Sequence, residues 1–345
     1  MSGDDLYRGH TGRAQGEAPV SPNFQFPLRV DRNGCRSVYK LGNERGDCQF
    51  ECRFCGVGRS PRMSSAANIA LFDALHSKHL AELAGPYHPA IFNRGNVTDP
   101  EAFSLDTLNH ILEVFEQDGR VSYLSLNSRE STAATEVLDR LAARNLPFPI
   151  HFIFGQESFS QSAPRILGKS NRGEMERFVR KLKRYNMGRR LGGDRKAYVF
   201  GLDVNLVFLP ELYLEAGESR EGRETRIAEG LANDLREVLR RADPVVPVEI
   251  NLHPYYEVAS LPYRQADVCQ LLRILPPLQV IVDEHNRKPG MYPTHLFVGV
   301  VFFEDGGEQP SDSDRAGKLH WLQQAIDEFN RTGKLPGLPR PDGLR

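Results

Sequence analysis

Apolar and polar positions along the chain switch repeatedly between two periods. Short runs that are apolar throughout, or apolar at every second position, read as strands at Ser37–Leu41, Pro89–Asn93, Val121–Asn127, Pro149–Gly155, Ala197–Leu209 and Val246–Leu252. Between them apolar residues recur at helical spacing over Ser65–Leu83, Leu105–Phe115, Ser131–Arg144, Glu174–Tyr185 and Glu224–Arg241. In the first of these, Ile69, Leu71, Phe72, Leu75 and Leu80 fall on recurring turns. Six strands in strict alternation with helices predict a parallel α/β sheet with the helices outside. Right-handed crossovers curl such a sheet into a barrel, here a partial (β/α)6 TIM-like barrel over residues 35–255. Residues 1–34 are rich in Gly, Pro and polar side chains and predict a poorly ordered extension. After residue 255 the pattern continues with a helix near Arg264–Leu275, strands at Gln279–Asp283 and Leu296–Phe303, and a helix over Arg315–Phe329. Residues 256–345 thus read as a small C-terminal α/β extension or cap.

Composition narrows the class without naming a chemistry. With 345 residues, 40% of them hydrophobic and 26% charged, the chain can bury a sizeable core as an ordinary soluble protein. Its first residues show no basic-then-apolar signal pattern, and the longest apolar stretch, Leu296–Phe303, is too short to span a bilayer. No membrane association is expected. A net charge of −1 gives no global attraction to nucleic acid, but Arg177–Lys196 holds nine Lys and Arg against Asp194 alone. That segment reads either as a solvated helix face or as a grip on a phosphate or RNA backbone.

Five cysteines are too few and too clustered for a disulfide framework and suit the reducing cytoplasm, where thiolates stay available for metal. Cys48, Cys52 and Cys55 stand at spacing CxxxCxxC, with no fourth cysteine nearby. Structural zinc takes four ligands, usually as paired units, and no second pair follows. A [4Fe–4S] cluster normally takes four thiolates, so three would leave one iron open to a substrate or cofactor. Inert core thiols are the remaining alternative.

The octapeptide Cys48–Cys55, with aromatic Phe54 before the last cysteine, resembles that of the radical S-adenosylmethionine (SAM) enzymes. The resemblance covers roughly residues 35–255 and implies a [4Fe–4S] cluster on Cys48, Cys52 and Cys55 with SAM on the open iron. It further implies reductive cleavage of SAM to a 5′-deoxyadenosyl radical, which takes a hydrogen atom from the substrate, with electrons from an external flavodoxin- or ferredoxin-type reductant. At the end of the second strand Asn93-Arg94-Gly95-Asn96 resembles the glycine-containing segment that receives the methionine amino group, with Asn-Arg-Gly-Asn in place of the commoner Gly-Gly-Glu. Ser128, at the end of the third strand, joins this cofactor-binding set. Gly155-Gln156-Glu157-Ser158 resembles the Gly-x-Glu-Ser element of the tRNA-modifying and coproporphyrinogen-oxidase-like branches, which places the SAM ribose contact on Glu157. An acceptor-only carboxylate can take both ribose hydroxyls. The run that follows implies a cation for the methionine carboxylate, Lys169 first and Arg172 second.

Substrate contacts are expected after the sixth strand, where His253, Tyr255 and Glu257 alternate beside Asn251. Asp203 and Asn205 on the fifth strand, and Glu211 after it, are further inward-pointing candidates. Only Cys35 and Cys269 lie outside the loop, too few for an auxiliary cluster of the usual kind. This favours a compact enzyme acting on a polar small molecule by epimerisation, dehydration, dehydrogenation or rearrangement. An RNA-modifying enzyme and a non-catalytic metal-binding protein are the alternatives. Cys269 reads in two ways, as the hydrogen donor of a radical epimerase or as a small apolar residue sharing a helical face with Leu272 and Leu275.

Overall fold

The computed structural model describes residues 29–31, 34–46, 48, 62–83, 85–93, 95–169, 173–191, 198–214, 220–254, 268–299 and 313–336. Among them one sheet runs through eight strands in sequence order. These are β1 (Arg29–Asp31), β2 (Gly34–Leu41), β3 (Tyr87–Asn93), β4 (Leu124–Ser128), β5 (Ile150–Glu157), β6 (Phe200–Phe208), β7 (Val248–Pro254) and β8 (Leu296–Val298). β1 pairs antiparallel with β2, and every later neighbour is parallel. The helices are α1 (Ser65–Glu82), α2 (Leu105–Gln117), α3 (Thr135–Ala143), α4 (Ala163–Leu167), α5 (Glu174–Leu191), α6 (Arg220–Arg241), α7 (Val268–Asn286) and α8 (Ser313–Thr332).

The two faces of the sheet differ in chemistry. Leu124, Leu126, Phe152, Phe154, Leu202, Val204, Leu206, Ile250 and Leu252 are buried together with the helices' apolar stripes. That burial, at about 25 cal/mol per Å² of apolar surface, drives the wrapping of helices around the sheet. The alternate positions form the inner face, where Arg36, Ser125, Asn127, His151, Asp203, Asn205 and Asn251 stand among apolar residues such as Ile153 and Phe297. Arg36 on β2 donates to Asn251 Oδ1 on β7 at 3.2 Å, and its guanidinium lies 5.3 Å from the Phe297 ring centre on β8. Residues on strands so far apart in the sheet meet only because it curls into a half-barrel.

Two sequence expectations change. The partial barrel has seven parallel strands, not six, because Leu296–Val298 adds beside β7. The strand expected at Gln279–Asp283 is instead the middle of α7, which runs on through Pro276 and Pro277. A proline pair and a short β-branched run read locally as a break followed by a strand. Leu271, Leu275, Leu278 and Val282 nevertheless recur at helical spacing and are all buried, so packing decides. Arg29–Asp31, within the stretch expected to be poorly ordered, forms β1, and α8 packs against it. No helix among the described residues is long and apolar enough to cross a membrane.

Candidate functional site

In a parallel half-barrel the loops leaving the C-terminal strand ends gather on one rim, where such folds place their chemistry. The cysteine loop leaves β2 on that rim. Its two ends are held together, since Met63 N donates to Asn43 O at 3.1 Å and Arg62 Nε to Glu44 O at 2.7 Å. Buried Asn43 also turns the chain, its Oδ1 accepting from the backbone N–H groups of Arg45 and Gly46. Cys48, half-buried, lies just beyond this root. Cys52 and Cys55 lie outside the described residues, as do Arg172, Tyr255 and Glu257.

The segment after β3 sits directly against the root. A Cβ on Gly95 would come within 2.6 Å of Asn43 Nδ2, so only glycine permits this approach. Asn93 Oδ1 accepts from Gly95 N at 3.1 Å, and Asn127 Nδ2 donates to Gly95 O at 2.8 Å. Asn93 and Asn127 therefore shape the backbone turn around Gly95. Asn96 is buried in that turn, its carbonyl accepting from Asp99 N at 3.1 Å. Ser128 turns its hydroxyl to Thr98 Oγ1 at 2.6 Å, bracing the same segment.

β5 ends in a bulge between Gly155 and Glu157, and Glu157 takes the left-handed conformation with φ 65°. Such a bulge re-aims a side chain, and a non-glycine residue held there stores strain characteristic of functional sites. The Glu157 carboxylate pairs with Lys169 Nζ at 2.9 Å, and the same ammonium donates to Gly155 O at 2.5 Å. The two side chains that sequence reading gave to different parts of SAM are thus brought together. A Cβ on Gly155 would meet Glu157 Oε1 and come within 2.6 Å of Lys169 Nζ.

The next turn is held by a residue that sequence reading missed. Asp234 of α6 accepts from Ser158 Oγ at 2.5 Å, Tyr213 OH at 2.8 Å and Phe159 N at 2.9 Å. Its signal is an acid on an apolar stripe, since Ile227, Leu231, Asp234 and Val238 share one buried helix face. Burial raises its carboxyl to about 6, against the opposing pull of the hydrogen bonds from Ser158, Tyr213 and Phe159. A raised folded-state value means that the folded protein holds this proton more tightly than the unfolded chain. The resulting stabilisation is complete below about pH 4 and is lost as pH rises through about 6. Wild type should therefore gain about 1 kcal/mol over Asp234→Asn on going from pH 7 to pH 5 in denaturant melts. A gap that stays constant with pH would exclude this proton.

Further down the inner face, Asp203 Oδ1 bonds His151 Nδ1 at 2.8 Å, and Asp203 Oδ2 accepts from Ser125 Oγ at 2.7 Å. Burial works to raise the Asp203 carboxyl, but His151 and Arg36 beside it outweigh burial and hold it below the usual carboxylate value. His151 Nε2 meets Tyr198 OH at 2.9 Å, which closes a polar floor to the half-barrel. Nearer the rim, Asn251 Nδ2 donates to Asn205 Oδ1 at 3.1 Å. His253, half-buried and two residues further along β7, lies with its ring against Gly299. Glu211 falls in the short 3-10 turn after β6. Cys269 is the second residue of α7, half-buried against the hydrophobic core.

Part of the basic segment is already partnered. Arg177 pairs with Glu130 at 3.0 Å, Lys181 donates to the carbonyls of Glu130 and Ala133, and Lys183 pairs with Asp243 at 2.8 Å.

Neither a family model nor a curated protein matches the chain. Solved structures do. A radical SAM methyltransferase from Sphaerobacter thermophilus is 12% identical with a TM-score of 0.43, over 76% of this chain and 66% of its own. SuiB of Streptococcus suis is 12% identical with a TM-score of 0.46, over 79% of this chain and 50% of its own. A queuine lyase from Clostridium spiroforme, bound to SAM and queuine, is 12% identical with a TM-score of 0.42, over 78% of this chain and 95% of its own. The chain thus spans 66% and 50% of the first two.

Proposed function

We propose that this chain is a radical SAM enzyme acting on a polar small molecule. One observation carries the reading. The three-cysteine loop leaves the first parallel strand of a half-barrel, and its root rests on the glycine segment that follows the next strand. The residues present suit the implied groups. Three thiolates leave an open iron, Gly95 lets the segment after β3 lie against the root of the cysteine loop, and Glu157 offers an acceptor-only group on the same rim. When bound, the cluster and SAM supply a carbon radical able to take hydrogen from an unactivated C–H bond. The protein's own part is to orient that bond and exclude other hydrogen donors.

Asn205, Asn251 and His253 give the inner wall directional hydrogen-bonding groups, which supports a polar small molecule as substrate. The ion pairs of Arg177, Lys181 and Lys183 weigh against an RNA backbone as the partner of that segment. A flavodoxin- or ferredoxin-type protein is the proposed electron donor. Anaerobic reconstitution followed by an assay for 5′-deoxyadenosine tests the reading, and a loaded protein that never cleaves SAM would sink it.

Cys269 decides between reaction outcomes. If it returns hydrogen to the substrate, Cys269→Ala still forms 5′-deoxyadenosine with substrate but stops yielding inverted product. Its place against the core supports the packing role, for which turnover persists and only thermal stability falls.

A further inference from the structure

We infer that Glu44 is a positioning residue that clamps the root of the cysteine loop to the segment carrying Gly95. What the loop holds rests on the radical SAM reading; the clamp itself rests on geometry. Glu44 stands four residues before Cys48. Its carboxylate accepts from Thr107 Oγ1 at 2.6 Å, Asn68 Nδ2 at 3.2 Å and Ser104 N at 3.0 Å. Its own N–H donates to Ala102 O at 2.9 Å, the carbonyl that Asn93 Nδ2 also reaches at 3.3 Å. Asn68 in turn accepts from Gly42 N at 2.8 Å and donates to Gly42 O at 3.2 Å. Loop entry, loop exit through Arg62, and the Gly95 segment all converge on this one residue.

A simple capping role does not account for the arrangement. Both neighbouring helices already carry their own caps, with Ser64 accepting from Ala67 N and Ser104 Oγ accepting from Thr107 N. The extra carboxylate sits where the positive ends of α1 and α2 meet, which favours an anion. Charge-assisted bonds of this kind are roughly twice as strong as neutral ones. The element gaining from them is the loop, whose cysteines must stay in register with whatever binds at Gly95. Small losses of register at such a site are costly.

The test compares wild type with Glu44→Ala, with Glu44→Gln as the milder variant should the first fail to fold. Three quantities are read: amide exchange peptide by peptide, retained iron after anaerobic reconstitution, and the electron paramagnetic resonance spectrum of the reduced protein with and without SAM. Exchange at residues 42–46, 62–63 and 95–104 should rise about tenfold or more, with the rest of the sheet unchanged. Iron should be lost faster than from wild type, and the spectral change caused by SAM should weaken. Glu44→Gln, which keeps an acceptor for Thr107 and Asn68, should fall between the two. Unchanged local exchange and iron retention would overturn the clamp, as would a rise spread evenly over the whole protein. If wild type itself takes up no iron, the radical SAM reading fails, and the exchange result still decides the clamp.

Discussion

Replacing Cys48, Cys52 and Cys55 together with alanine removes bound iron, brown colour and 5′-deoxyadenosine formation in one step. Wild type should carry about four irons per chain, the content of a single cubane cluster. On the proposed reading the effect should be total, because the three thiolates would form the whole protein ligand set and neither Cys35 nor Cys269 falls at the loop's spacing. Global folding should survive, since the loop closes at its root through Asn43, Glu44, Arg62 and Met63. Circular dichroism of the triple variant checks this. Tightly bound zinc, or about eight irons per chain, would contradict a single open cluster.

The second large effect belongs to Glu157. Glu157→Ala removes the carboxylate paired with the Lys169 ammonium, whose side chain is 8% exposed. Removing one member of a buried pair costs about 3–5 kcal/mol, so this variant should lose stability as well as SAM. Glu157→Gln separates the two effects. It keeps an acceptor towards Lys169 but offers the ribose a weaker, neutral one, so SAM affinity should fall about tenfold or more with a smaller change in melting. Gly155→Ala is predicted to resemble Glu157→Ala, since its Cβ would intrude on both members of the pair. Equilibrium dialysis of SAM against cluster-loaded variants is the measurement. Unchanged affinity in a folded, loaded Glu157→Gln protein would move the ribose contact elsewhere.

The alternation of strands and helices was readable because burial on the outer sheet face imposes apolar runs that any local window registers. Pro276 and Pro277 misled for the same reason, since a local window sees the break and not the buried stripe on either side. Glu157 and Lys169 were legible one at a time, but their pairing was not. It arises from a bulge in β5, and a bulge has no pattern in the alternation. The clamp was less visible still. The three donors to Glu44 lie 24, 60 and 63 residues away, and no single one of them is unusual in its own segment. Asp234 stood in plain view as an acid on an apolar stripe, and only its partners were hidden.

Arg36 has a consequence for the chain during its synthesis. Its hydrogen-bond partner Asn251 lies 215 residues further on, and the aromatic ring beneath its guanidinium comes later still. At about 5–20 residues per second a ribosome needs roughly 10–40 s to bring Asn251 out after Arg36. Until Asp203 and then Asn251 have emerged, β2 carries a cation destined for burial without its anionic and hydrogen-bonding partners, and its outer face bears Tyr39 and Leu41. The early strands then resemble an open sheet with an exposed edge, the state most prone to pair with another chain. Holdase chaperones acting on ribosome-bound chains should engage this protein until β7 has emerged, and release it once Arg36 is covered.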